Sequence, residues 1–240
     1  VLAQPQPTRI AATLLCARYA DGERDFHQVD LYGADLRYAQ LANIDLQGAD
    51  LGEAKLSCAD FRRANLSHAH LMGAGANEAN LAHANLPQAY LRGARLVSAN
   101  LTGANLQQAT AIAMSGQNAV FKRANCAHAN LQAAQLDGAD FSQANLSKAD
   151  LANANFAHAN LSGANLQQAL LFGANFAGAN LCGANLSGSR LAHVKLRGAT
   201  YDSTTRFPDG FIPSQSELLL LQPAPLRPAT PPLPVLQLTA

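Results

Sequence analysis

From Phe26 to Tyr201 the chain places its large apolar residue at every fifth position, and most of these are preceded two places earlier by alanine. Consecutive units read Ala139-Asp140-Phe141-Ser142-Gln143 and Ala144-Asn145-Leu146-Ser147-Lys148. The register runs through Leu31, Leu36 and Leu41 to Leu196 and Tyr201 without an insertion or a deletion. An α-helix turns every ~3.6 residues and a strand alternates every second residue, so a strict five-residue period scatters its apolar side chains over both. The chain must turn a corner once per unit, and a repeat of this kind governs the whole fold.

The motif Ala-(Asp/Asn)-(Leu/Phe)-x-x resembles that of the pentapeptide repeat family, and the resemblance covers Phe26 to Tyr201. It implies an all-β, right-handed quadrilateral β-helix in which four units make one square coil. In that family the central Leu or Phe and the Ala two before it point inward, and the other three positions point out. Coils stacked at the ~4.8 Å strand spacing give roughly nine layers and a rod ~40 Å long. Each buried Leu contributes ~1.5–3 kcal/mol, the Ala keeps the bore filled, and stacked Asn side chains are expected to hydrogen-bond along the rod.

The repeat divides the chain into four parts. Residues 1–25 form an N-terminal segment in which Thr8 is the expected cap of a helix carrying Ile10, Leu14, Leu15 and Tyr19 on one side, with Gly22 as its stop. The string from Leu14 to Phe26 is similar to the lead-in of many cyanobacterial pentapeptide proteins. Residues 26–201 are the repeat. Residues 202–222 are a closing segment, with Phe207 and Phe211 as plugs and a short helix over Leu218 to Leu221 behind the capping-box pattern Ser214-Gln215-Ser216-Glu217. Residues 223–240 are a Pro-rich extended tail, a linker or a polyproline ligand. Two departures mark the core: Ala76 replaces a central Leu, and at Met114 and Gly116 the large and small residues exchange places, where a weak coil or small bulge is expected. The start at Val1-Leu2-Ala3 fits either a signal-peptide remnant or a trimmed end, so the compartment is cytoplasmic or exported, as to a periplasm or thylakoid lumen.

In the 240 residues, charged residues are 14% and the formal net charge is +1, which gives no general pull toward nucleic acid or membrane. No apolar run approaches the ~18 residues of a membrane span. Of the four cysteines, Cys126 replaces a central Leu, Cys58 and Cys182 lie outside on distant coils, and Cys16 precedes the repeat. Free thiols are expected. The seven histidines scatter over the sides of the square, and His68 and His70 belong to successive units, so no metal site is assigned. There is no phosphate-binding Gly loop and no nucleophile motif, and the sequence implies neither a cofactor nor an enzyme.

Sorting the outward residues by side is more informative. The side built on Leu31, Leu51, Leu71 and their successors carries Tyr32, Met72, Tyr90, Ile112, Leu170 and Phe172 facing solvent, whereas the side built on Leu46, Leu66, Leu86 and Leu106 carries Gln, Asn, Ser and His. Concentrated exposed apolar groups mark a docking surface, for a protein partner or a second copy, against the alternative of scattered repeat drift. A weaker candidate for anion binding is Arg62-Arg63 with Lys122-Arg123, three coils apart with His83 between them. The expected function is a non-enzymatic scaffold. The alternative that the family resemblance supplies is a DNA-mimicking, gyrase-interacting protein of the quinolone-resistance kind, which needs a dense negative surface; Asp30, Asp35, Asp45, Asp50 and Asp60 cluster early, but later equivalents are mostly Asn.

Overall fold

Every unit is closed by the same turn. The N–H of the alanine donates to the carbonyl of the apolar residue three before it, at 2.9 Å for Ala34 to Leu31 and 3.0 Å for Ala144 to Phe141. The residue two after the apolar one has a positive φ, from 54° at Ala113 to 69° at Gly138, the signature of a type II turn. Among the described residues 23 non-glycine side chains accept that conformation and none of them is Val, Ile or Thr. The exclusion is physical, because the left-handed region crowds a Cβ and crowds a branched one most.

Where Asp or Asn precedes the apolar residue all five backbone amides of a unit are used, as the unit beginning at Leu106 shows. Leu106 N–H donates to the Asn125 carbonyl at 2.7 Å, Gln108 to Ala127 at 3.0 Å, Ala109 to Leu106 at 3.0 Å and Thr110 to Ala89 at 2.9 Å. The fifth, Gln107 N–H, donates to Asn105 Oδ1 at 3.2 Å. The repeat therefore prefers Asp or Asn before the apolar residue because that side chain satisfies the one N–H the backbone leaves over. Parallel bridges join residues 20 apart, as in Asp50 to His70 and Asn105 to Asn125, so four units make one coil of a β-helix. At the C-terminal end Asn180 still pairs with Thr200, but Asn185 pairs with Arg206 rather than Thr205, so the closing segment carries one extra residue.

The computed structural model describes residues 8–213 and 218–220; Val1 to Pro7, the capping-box pattern Ser214 to Glu217 and the Pro-rich tail lie outside the described residues. In chain order the elements are β1 (Thr8–Arg9), α1 (Ala12–Ala20), β2 (Val29–Asp30), β3 (Thr200–Tyr201) and β4 (Leu219–Leu220). β1 pairs in parallel with β2, and β3 with β4. One side of each end coil thus has its ladder edge covered, which blunts strand pairing with other chains there.

At the first coil Thr8 is not the helix cap. It lies in β1, and Ile10 N–H continues the ladder to the Asp30 carbonyl at 3.1 Å, so α1 starts later, with Ala11 as its N-cap and no side-chain capping bond. Leu15 is fully buried over the bore while Leu14 points out, 52% exposed, so the expected apolar side is narrower. Gly22 ends the helix as expected: at φ 101° it donates to Tyr19 and Glu23 donates to Arg18, both at 3.1 Å, a Schellman motif. Tyr19 Oη donates to the Ala42 carbonyl at 2.8 Å, tying the helix to the coil.

The bore is filled by the Leu/Phe and Ala columns, almost all of them buried. Phe121 stacks on Phe141 at 4.4 Å and Phe156 on Phe176 at 5.2 Å between ring centres. Ala76 leaves an apolar cavity of about 10 Å³ walled by Leu56, Leu96 and their neighbours, too apolar to hold water. The bulge expected near Met114 does not form. Ser115 bridges to both Arg95 and Gln135 in unbroken register, because the Met114 side chain turns into the bore and occupies space that a Leu at Gly116 would take.

The last coil is closed by Phe207, which contacts Tyr201 at 5.5 Å and Phe211 at 5.0 Å, and by Thr205 Oγ1, which donates to the Leu181 carbonyl at 3.0 Å. The helix expected over Leu218 to Leu221 is not what the described part of that stretch forms: Leu219–Leu220 is a strand, and Leu219 N–H donates to the Ala199 carbonyl at 2.8 Å. The apolar run satisfies the open ladder of the last coil instead of its own helical bonds. No helix among the described residues is long and apolar enough to cross a membrane.

Candidate docking site

Because residues 20 apart stack, outward side chains form columns along the rod. One corner column runs through Asp45, Asn65, Asn85, Asn105, Asn125, Asn145 and Asn165. Each Asn Nδ2 donates to Oδ1 of the residue one coil earlier, from 3.0 Å at Asn65 to Asp45 through 3.1 Å at Asn105 to Asn85 to 3.4 Å at Asn165 to Asn145. This side uses its polar groups on itself, and the expected asparagine stacking is realised there from Asn65 to Asn165.

The side built on Leu31 differs. Its bridge column runs Asp30, Asp50, His70, Tyr90, Thr110, Asn130, Asp150, Leu170, Arg190, and the column after the apolar residue runs Tyr32, Gly52, Met72, Arg92, Ile112, Gln132, Ala152, Phe172, Ala192. Tyr32, Met72, Tyr90, Leu170 and Phe172 are all exposed, Phe172 by 54%, while Ile112 is half-buried. They fall into groups along the rod: Tyr90 lies edge-on to His70 at 4.9 Å beside Met72, and Phe172 edge-on to His193 at 5.1 Å beside Leu170. Tyr32 lies against Gly52, where an added Cβ would meet its ring at 2.9 Å.

One exposed aromatic escaped the sequence reading. Tyr38 is 69% exposed and holds φ 62°, an uncommon conformation for a bulky residue. It lies on a different side of the coil, and only its place in the turn column, unusual for an aromatic, signals it.

The basic candidates are less free than their sequence suggests. Arg62 grips Asp60 with two nitrogens, Nε at 2.9 Å and Nη2 at 2.6 Å, and holds that carboxyl below its ordinary range. Arg123 Nε donates to Gln143 Oε1 at 2.9 Å. Arg63 and His83 do share an open groove of about 380 Å³ with Ala42 and Asn43, whereas Lys122 lies outside it. The early aspartates are likewise engaged. Arg37 binds Asp35 at 2.6 Å and holds its carboxyl at about 2, and Arg9 lies 3.6 Å from Asp30. Asp45 and Asp50 accept the N–H groups of Gln47 and Gly52.

The four cysteines are separate free thiols, with Cys126 in the bore. Among the described residues no group of His, Cys, Asp or Glu is arranged to hold a metal ion.

Comparison with known proteins places this geometry. Residues 25–48, 44–74, 77–110, 134–171 and 164–200 match the Pentapeptide repeats family, in eight copies; the stretch between residues 110 and 134 that escapes the match contains Met114 and Gly116. HetL, a pentapeptide repeat protein involved in heterocyst differentiation regulation from the cyanobacterium Nostoc sp. strain PCC 7120, is 32% identical, over 79% of this chain and 94% of HetL, with a TM-score of 0.34. Rfr23 from the cyanobacterium Cyanothece 51142 is 31% identical over 55% of this chain and 90% of its own, with a TM-score of 0.42. QnrB1, a plasmid-mediated fluoroquinolone resistance protein, is 21% identical over 72% of this chain and 92% of its own, with a TM-score of 0.29. Among curated proteins the sequence has no match. The five-residue register, the turn at every unit and the family match over more than half of the sequence together make this chain a member of the pentapeptide repeat family.

Proposed function

We propose that the chain is a non-enzymatic scaffold, a four-sided rod that docks a protein partner along the side bearing Tyr32, Met72, Tyr90, Ile112, Leu170 and Phe172. The observation that carries this reading is the contrast between sides: one corner closes its amides into a ladder along the rod, while another presents large exposed apolar groups. Aromatic and large apolar anchors dominate interface energies. The regulatory involvement of HetL fits a task performed by binding. DNA mimicry has no comparable support, because Asp35 and Asp60 are neutralised by arginines and the formal net charge is +1.

The test is a triple variant, Met72→Ser with Ile112→Ser and Phe172→Ser, used as bait beside a control carrying Gln107→Ala, Gln167→Ala and Ser187→Ala. The triple variant is expected to keep its melting temperature and lose the captured partner, with the control unchanged. A stable triple variant that captures normally contradicts the docking reading. Potent inhibition of gyrase supercoiling by the purified rod would replace it with the DNA-mimic reading.

A further inference from the structure

Several charges on the apolar side form no ion pair among the described residues. These are Arg92, Arg190, Asp50, Glu53 and Asp150, although Asp150 accepts hydrogen bonds from Gln132 Nε2 and Ala152 N–H; Asp30 on the same side has Arg9 nearby, and Asp35 and Asp60 on other sides each have an arginine. The unpaired charges are also ordered. Two of the three negative ones, Asp50 and Glu53, share a coil near one end, Arg190 lies near the other, and Arg92 and Asp150 are placed between them.

We propose that the occupant of this side is a second copy of the chain, laid antiparallel and face to face, with the two-fold axis crossing the rod between the coils of Ile112 and Gln132. The proposal rests on the docking reading above and names its partner. A two-fold axis lying in the interface across the rod reverses the order of the coils but leaves each column facing the same column of the other copy, because the interface is isologous. In this register Met72 faces Phe172 and His70 faces Leu170. Asp50 faces Arg190, and Glu53 faces His193. Arg92 lies diagonally across from Asp150, a side-chain length away at the ~10 Å separation of packed sheets. Tyr90 lies opposite Asp150 and Ile112 opposite Gln132, and the unpaired charges Asp50 and Arg190 meet as opposites.

Neighbouring registers lose the match. Moving the axis one step toward the N-terminus, onto the coil of Ile112, sets Asp50 against Leu170 and Glu53 against Gly173. A further step sets Asp50 against Asp150. Moving it toward the C-terminus sets His70 against Arg190 and Met72 against Ala192, and takes Asp50 away from Arg190. A parallel arrangement, with the axis along the rod, keeps each coil beside its own copy and exchanges the outer columns, so Asp50 meets Glu53 and Arg92 meets its own copy, and like charges across an interface are disfavoured. This register therefore sets Asp50 against Arg190 and brings Arg92 near Asp150, with Met72 on Phe172 between them, and charge complementarity of this kind points to a second copy.

The experiment is the mass of the full-length chain by light scattering across a dilution series, for wild type, Arg92→Glu, Asp150→Lys and the double exchange. The expected result is a dimer for wild type, a dissociation constant raised at least tenfold by either single reversal, and recovery of the dimer in the double variant. Asp150 also accepts the Ala152 N–H at 3.1 Å, so melting temperatures confirm that each variant is folded. Glu53→Lys, which disturbs no such bond, repeats the single reversal if Asp150→Lys unfolds, and it too is expected to weaken the dimer. A wild type that stays monomeric throughout, or a folded double variant that fails to recover, overturns the proposal. A monomer whose triple serine variant still loses another protein leaves the docking reading standing and removes only the second copy.

Discussion

Met114 fills the place that Gly116 leaves empty: a Cβ built at Gly116 would lie 3.6 Å from Met114 Cε and only 2.9 Å from a Leu136 methyl. The two positions have exchanged volumes across one turn of the chain, and the coil keeps its register. Met114→Ala alone is expected to open a cavity and cost about 2–5 kcal/mol. Gly116→Leu alone overfills the bore and costs about 1–3 kcal/mol. The double variant restores the common Ala and Leu arrangement and is expected to recover most of both losses. Denaturant melts of the four proteins read the coupling, and additive losses would contradict the exchange.

The turn column makes a prediction about shape rather than chemistry. His128 holds φ 59°, so His128→Gly is expected to be neutral or mildly stabilising, while His128→Val is expected to cost about 1–2 kcal/mol. Both variants lose the same imidazole. A similar melting temperature for the two would show that the left-handed turn does not restrict this column.

Asn105 has three duties, accepting from Gln107 N–H, donating to Asn85 and accepting from Asn125. Asn105→Ala removes all three and is expected to cost about 1–3 kcal/mol. Asn105→Asp keeps the turn acceptor and the bond from Asn125, losing only the donor, and is expected to fall between the alanine variant and wild type near neutral pH. Thermal melts check the order.

Burial pushes the Cys126 thiol from 9.0 to about 12. Its folded value lies above its unfolded one, so the neutral form is favoured by folding. The contribution is fully present below the unfolded value and is lost as pH rises from there toward the folded one. Between about pH 9 and about pH 10 the loss approaches ~1 kcal/mol. Stability measured in denaturant should show this slope in wild type and lack it in Cys126→Leu, which carries the usual occupant. At neutral pH a thiol reagent should modify Cys126 only after unfolding, and under denaturing, non-reducing conditions all four thiols should react.

Much of this architecture was legible in the sequence because the determinants are local and repeated. Leu at every fifth residue, the Ala before it and the Asn between them each state one contact, and the structure repeats that contact coil after coil. The ends were less legible. Thr8 reads as a helix cap and Leu218 to Leu221 as a helix, yet segments next to an open ladder satisfy it before forming their own bonds, and nothing local announces that competition. The apolar side was visible by sorting Tyr32, Met72 and Phe172 into columns. The loss of Arg62 as a free cation was hidden because its partner Asp60 is two residues away, a spacing with no meaning until the turn brings the two side chains together. Tyr38 was missed because it stands outside the columns that drew attention.

The central claim is that neighbouring residues on one side divide the labour, the inward one holding the fold and the outward one facing a partner. Leu171, fully buried, and Phe172, 54% exposed, are adjacent in the chain, so thermal unfolding of Leu171→Ser and Phe172→Ser tests it most directly. Leu171→Ser is expected to destabilise by at least about 3 kcal/mol, through the cavity and the buried hydroxyl. Phe172→Ser is expected to stay within about 1 kcal/mol of wild type, since it gives up only its edge contact with His193. Equal losses, or a larger loss at Phe172, would contradict the account.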